Sequence, residues 1–309
     1  MPLTFQAIVC MVDFSSFSPS VVAYGVSFAR RADVRLYLFH AVHHPQDGVH
    51  PTTVFERGGD LAQLTADARQ RMQTLMAHVS MDWEAVVCFG DPVEETIAFV
   101  NRLPASLVIS ASHGVSGLRR LFTGTVVERL TRKLGQPMLV IKPVHDETIH
   151  RFDGFRLAVV SCDGRGYWQR LAPLLPLVQA ESDSRVHLVH ALEGPMADTA
   201  GEDSAASYEQ TQSAQSDRLS HNFYHQAQRL FPYADAHAVT VAPGIPQEMV
   251  LRVARERACD IIAVGVRRSG TLGRWISGST TEALLRHSPC CVLTVPEPSA
   301  TMTSGGHHR

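Results

Sequence analysis

Residues 112–125 read SHGVSGLRRLFTGT, and their types suit one chemistry in particular, the cradling of a phosphate. Gly114 has no Cβ, so its backbone N–H can come close to an anion. Gly124 and Thr125 open the helical pattern TVVERLTRKL (125–134), with Val126 next in the first turn. The free N–H groups and the dipole at a helix start favour negative charge. His113 places a side chain inclined to positive charge inside the loop. Arg119 and Arg120 either steer a polyphosphate or are solvated turn residues. The whole stretch also reads as a surface turn ending in a helix cap. It is not a Walker A loop, because no Gly-Lys-Ser/Thr follows, and not the dinucleotide fingerprint, because it follows the fourth apolar run rather than the first.

The other candidates are aspartates that end apolar runs. Asp13 closes one in AIVCMVDFS (7–15) and Asp163 closes one in LAVVSCDGR (157–165). Such a carboxylate accepts from a ligand amine or hydroxyl, or it caps the turn that follows.

Those two runs are copies of each other. LYLFHAV (36–42) matches VHLVHAL (186–192), and CFGDPVEETI (88–97) matches APGIPQEMVL (242–251). LVISASHG (107–114) matches IIAVGVRR (261–268), and TGTVVERLTRKLGQPMLVI (123–141) matches SGSTTEALLRHSPCCVLTV (277–295). The offset is 150 residues for the first blocks and 154 for the later ones, so a four-residue insertion separates them. Blocks in constant order mark a tandem duplication. The expected domains are 1–145 and 154–297, joined by a short polar stretch, with a flexible tail at 298–309.

Each copy alternates strand and helix. In the first, short apolar runs predict strands at 6–12, 34–42, 84–89, 106–111 and 138–142, with helices over 18–32, 60–79, 92–103 and 125–134. Ser18-Pro19 and Asp91-Pro92 read as caps followed by proline at the first helical position. Such alternation implies a parallel sheet with right-handed crossovers, α/β and doubly wound. In that architecture ligands bind beyond the carboxyl ends of the strands, where the loops after strands one and four are neighbours. The polar segments 43–60 and 193–217 read as loops, the second leading into a helix.

Composition removes several function classes. The chain has 309 residues, 45% apolar and 19% charged, with a net charge of -2. A nucleic-acid binder would carry a basic surplus. No run approaches the ~18 apolar residues of a membrane span, and the start MPLTFQAIVCMVDFS lacks a basic, apolar leader, so a cytoplasmic protein is expected. The six cysteines form no C-x-x-C pair; buried reduced thiols are the plain reading, with adjacent Cys290-Cys291 the redox alternative. Of sixteen histidines, His40, His43, His44 and His50 cluster after strand two, without a recognised ligand spacing, so no metal site is expected. His40 and His190 read as structural strand-end residues. No nucleophile–base pair or acid pair is arranged to activate water, so no catalytic residue is assigned and any hydrolysis of a bound phosphate compound is expected to be slow.

The motif after strand four, with Asp13 in VDFS, resembles the universal stress protein family, and the chain is similar to a tandem member over roughly 4–143 and 155–297. Nucleotide-binding members carry G-x2-G-x9-G-[ST] there. The matching positions are Ala111, Gly114, Gly124 and Thr125 in the first copy, and Gly265, Arg268, Gly278 and Ser279, followed by Thr280, in the second. The resemblance implies strand order 3-2-1-4-5 in each half and a pseudo-dimer through the last strands, with a homodimer of chains an open addition. It implies ATP or a related adenine nucleotide as ligand, with magnesium at most as the nucleotide's companion, and base contacts from Asp13 (Asp163 in the second copy) and the backbone of Ala41. Neither copy is complete. Arg268 either blocks its cradle or pairs with phosphate, whereas Ala111 is a mild change, so the first copy is the better candidate. The alternative is a scaffold that has lost nucleotide and acts through protein contacts.

Overall fold

Both faces of a parallel sheet must be covered by its crossovers, so its strands are apolar throughout rather than alternating. The strands of this chain follow that rule. Ile8, Val9, Leu36, Leu38 and Leu107–Ile109 are essentially inaccessible, whichever face they point to. The computed structural model describes residues 5–42, 61–103, 105–112, 125–142, 152–163, 167–180, 183–192, 202–232, 234–266 and 279–296. These fall into two compact units, 5–152 and 153–296.

Unit 1 runs β1 (Ala7–Met11), α1 (Ser18–Ala32), β2 (Arg35–Val42), α2 (Leu61–Leu75), β3 (Trp83–Phe89), α3 (Pro92–Val100), β4 (Ser106–Ala111), α4 (Thr125–Lys133) and β5 (Met138–Ile141). Its strands lie in the order β3-β2-β1-β4-β5 and pair in parallel. Unit 2 runs β6 (Leu157–Cys162), a 3-10 helix (Tyr167–Leu171), α5 (Leu175–Val178), β7 (Arg185–Leu192), α6 (Glu202–Leu230), β8 (Ala236–Pro243), α7 (Pro246–Glu256), β9 (Ile261–Val266), α8 (Ser279–His287) and β10 (Cys291–Pro296). Its parallel strands lie β8-β7-β6-β9-β10. Each unit therefore has the doubly wound order 3-2-1-4-5 expected from the resemblance.

Two local expectations need correction, and one crossover differs between the units. Ser18 is not the cap of α1: Phe17 holds that position, and Ser18 turns its hydroxyl to Asp13 Oδ1 at 3.2 Å. Residues 202–217, read as part of a loop, belong to α6. Ala, Glu and Gln have high helix propensity, and propagation from the end anchored by buried Phe223 and Ala227 carries the helix through a segment without an apolar stripe. In unit 2 the first crossover is a 3-10 turn and the four-residue α5, not a copy of the fifteen-residue α1.

Three of the described glycines matter here, two for their backbone and one for close packing. Gly90 and Gly244, at matching places after β3 and β8, have φ of 141° and 152°, a region that side chains disfavour. Gly25 lets α1 settle on β1: a Cβ there would lie 2.1 Å from Cys10 Sγ, itself fully buried. In an exposed helix, alanine would be better than glycine by about 1 kcal/mol. Here Gly25→Ala should destabilise the protein by roughly 1–3 kcal/mol in urea unfolding. Gly135→Ala, where a Cβ meets nothing within 4 Å, should be near neutral.

Candidate functional site

Register decides what meets at the carboxyl end of unit 1. Met11 is paired with Phe39, and Cys10 with Ile109. Extending both ladders puts Asp13 level with Ala41 and with Ser112, the residue after Ala111. The ladder is continued by Val12 N–H, which donates to Phe39 O at 2.9 Å.

Asp13 performs the turn-capping role that the sequence left open. Its Oδ1 accepts from the Ser15 amide at 3.0 Å, the Ser15 hydroxyl at 2.6 Å and the Ser18 hydroxyl. Among the described residues Oδ2 has no hydrogen-bond partner, so half of an exposed carboxylate can still accept from a ligand hydroxyl or amine.

Next to it Phe14 adopts φ 59° and lays its ring 4.5 Å from that of His40. Arg71 of α2 covers the other side, its guanidinium carbon 4.1 Å from the Phe14 ring centroid and Nη2 donating to Phe14 O at 3.4 Å. His40 Nδ1 lies 2.8 Å from Val12 O, and a carbonyl can only accept, so Nδ1 carries the hydrogen. Burial lowers the His40 pKa and Arg71 adds to this, against the opposing pull of the Val12 carbonyl and Asp13. The imidazole is thus a neutral structural group that ties β2 to β1, as expected for it.

The helix that starts at Thr125 is held from the side. Asp91 caps α3, accepting from Val93 N–H at 3.0 Å and Glu94 N–H at 3.1 Å. Arg129 of α4 grips the same carboxylate with both guanidinium nitrogens, at 2.7 and 3.0 Å, and Lys133 pairs with Glu94. Val127 and Leu130 bury the inner face of α4, which fixes where its N-terminal amides stand.

Unit 2 repeats the frame and fills it differently. His190 Nδ1 lies 2.9 Å from Cys162 O, the same anchor as His40 on Val12. The ring over His190 is Phe223 of α6, 5.1 Å away and buried, backed by buried Trp168 at 5.8 Å. The inward stripe of α6 and the residue after it is Phe223, Ala227, Phe231; that of α2 and its following turn is Ala68, Met72, Met76. At the first buried position of the stripe unit 1 has alanine and unit 2 phenylalanine. The α7 cap position holds Ile245, which offers no side-chain acceptor, and Ala283 stands where Arg129 would be. Thr280, at the start of α8, instead reaches Gln247 at 3.4 Å, while Ser279 is exposed.

The structure thus brings together Asp13, Ala41 and Ala111 in unit 1, and Asp163 and Gly265 in unit 2. Thr125 and Val126 begin α4; Ser279 and Thr280 begin α8. His113, Gly114, Arg119, Arg120, Gly124, Arg268 and Gly278 lie outside the described residues, as do His43, His44, His50, residues 193–201 and the tail. Phe14, Arg71 and Arg129 were missed. The hydroxyl spacing in DFSSFS, with Ser15 and Ser18 two and five residues after Asp13, was a readable sign of the capped turn. Arg71 and Arg129 carry no local mark. Among the described residues no group of three or more His, Cys, Asp or Glu could hold a metal, and no helix is long and apolar enough to cross a membrane.

A family model described as "Universal stress protein family" matches residues 4–142 and 174–296. The universal stress protein MJ0531 of Methanocaldococcus jannaschii is 23% identical over 145 residues, 45% of this chain and 82% of that protein. The stress response protein NhaX of Bacillus subtilis is 30% identical over 80 residues, 26% of this chain and 46% of that protein. A crystal structure of a universal stress protein from Archaeoglobus fulgidus superposes with a TM-score of 0.64 at 17% identity, covering 95% of this chain and 99% of that one.

The α3–α4 clasp is testable. Asp91→Ala, which removes cap and fork together, should cost about 1–2 kcal/mol; Arg129→Ala, which leaves the cap, should cost less than about 1 kcal/mol. The fork from Arg129 holds the Asp91 pKa below its ordinary value, with the capping amides helping. The stability advantage of the native chain over Asp91→Asn is therefore complete above the ordinary aspartate pKa of about 4. It fades as pH falls through the lower folded value, which urea titrations at stepped pH would register.

Proposed function

This chain belongs to the universal stress protein family, and from that premise we propose that it is a stress-response regulator binding ATP or a related adenine nucleotide, chiefly in unit 1. The observation that carries the choice of unit is the occupant of the space over the strand-two histidine. In unit 2 that space holds Phe223, fixed on a helix and backed by Trp168. In unit 1 the helix position is Ala68, and the ring present, Phe14, sits half-buried on a loop. A planar base needs such a movable neighbour or a vacancy, and a buried core phenylalanine supplies neither.

The described residues fit the base and ribose end of a nucleotide. Asp13 keeps one oxygen to accept a hydroxyl or amino hydrogen, and Ala41 stands level with it on β2. A bound nucleotide would supply the phosphate charge to which the N-terminus of α4 is suited. Thr125 and Val126 would offer first-turn amides, and Gly114 and Gly124 the unobstructed backbone. The clasp of Arg129 on Asp91 would set the direction of that helix. Stress response is what the names of the M. jannaschii and B. subtilis relatives state of those proteins. A nucleotide that is bound and hydrolysed only slowly acts best as a switch of conformation or partner.

Protein purified without added nucleotide, then denatured, should release one equivalent of adenine nucleotide per chain, identified by chromatography and mass. Gly114→Arg should abolish it, and so should Ala68→Phe, which installs the obstruction of unit 2. Two equivalents would show that Arg268 is compatible with binding. No release, together with no calorimetric binding of added ATP, would refute the reading in favour of a nucleotide-free scaffold.

A further inference from the structure

Cys290 has a sulfur neighbour far from it in sequence. Cys259 Sγ lies 3.3 Å from Cys290 Sγ, in a buried contact between residues 31 apart in sequence. Cys259 follows the end of α7, immediately after Ala258 with φ 49°, and Cys290 immediately precedes β10. Both sit in connecting backbone rather than inside an element, where small torsion changes are easiest.

The pairing of β9 with β10 sets the distance. Cys291 is level with Ile261, and Cys291 N–H donates to Asp260 O at 3.3 Å. Continued one step back, Cys290 stands beside Asp260, and Cys259 is its diagonal neighbour. A diagonal step across adjacent parallel strands spans about 6 Å, within the roughly 4.4–6.8 Å that a disulfide requires between Cα atoms. The Ser288 hydroxyl holds the turn, donating to Cys290 O at 2.7 Å and accepting from Cys290 N–H at 3.1 Å.

The pair is particular to unit 2. The matching positions of unit 1 are Ala105 and Gln136, and there the Gln136 side chain accepts from Ser106 N–H at 3.5 Å. One unit thus closes the junction with an amide and the other with two thiols.

We propose that Cys259 and Cys290 form a redox-modification site, a dithiol that a peroxide converts to an intramolecular disulfide. One sulfur, as thiolate, attacks a peroxide oxygen; the O–O bond breaks, the sulfur takes the OH group, and the other oxygen leaves as water with a proton. The second sulfur then forms the S–S bond and expels the OH, which leaves as water with the second thiol's proton. Two thiols and one hydrogen peroxide give one disulfide and two waters, with two electrons passing from sulfur to oxygen. The hydrogen bond with Cys290, and then burial, raise the Cys259 pKa. The reaction is accordingly slow at neutral pH and faster as pH rises.

The reduced full-length chain, freed of reductant, is treated with hydrogen peroxide, and its thiols are counted by alkylation after denaturation. The six thiols should fall to four and return to six with dithiothreitol. Mass spectrometry should find tryptic peptides 258–267 and 287–309 linked. Cys291→Ser should keep that link, and Cys259→Ser should lose it. The proposal is overturned by a count that stays at six, by oxidation that dithiothreitol does not reverse, or by a link that uses Cys291 or another cysteine.

Discussion

β1 lies between β2 and β4, and the ladders on its two sides share one register. Without that register Asp13, Ala41 and Ser112 would not stand on one line, and no local sequence feature could gather them. The ladders are kept in place by residues that have nothing to do with a ligand. Ile8 and Val9 need cover on both faces, and Gly25 allows α1 to come within contact of Cys10. His40 adds a side-chain bond from β2 to the Val12 carbonyl, just past the last backbone pair. The site is thus an end effect of core packing, with Asp13 serving the turn into α1 through one oxygen and keeping the other.

Duplication makes the second unit a control for the first. The strand order, the histidine anchor and the positive-φ glycines at 90 and 244 are the same in both. The differences concentrate around the same end of the sheet. Phe223 of α6 packs on the strand-two histidine of unit 2, where unit 1 uses Phe14 of the loop after β1, and Trp168 in the shortened first crossover of unit 2 packs on Phe223. The clasp between the third and fourth helices is ionic in unit 1, while unit 2 joins Thr280 to Gln247. One frame carries two differently furnished strand ends, because the shared core fixes the strands and leaves the side chains beyond them free to differ.

Much of this was legible from the sequence, because it depends on short-range patterns. Apolar runs, their turns and their repetition specified the doubly wound units. Asp91-Pro92 announced its helix start, since a cap bonds to amides two and three residues away. Ser18-Pro19 misled, because the hydroxyl found a better partner in Asp13 across a turn. The start of α6 was hidden because the usual mark of a helix is its apolar stripe, and the first turns of α6 lack one.

The sequence by itself determined the two α/β units, their repeat and where their strands end, since periodicity and turn chemistry act over a few residues. Tertiary structure alone decided which side chains share those ends. Phe14 with His40 and Arg71, Phe223 with His190, Arg129 with Asp91, and Cys259 with Cys290 are pairings between residues tens of positions apart. Such contacts follow from strand register and helix seating, which are properties of the packed whole.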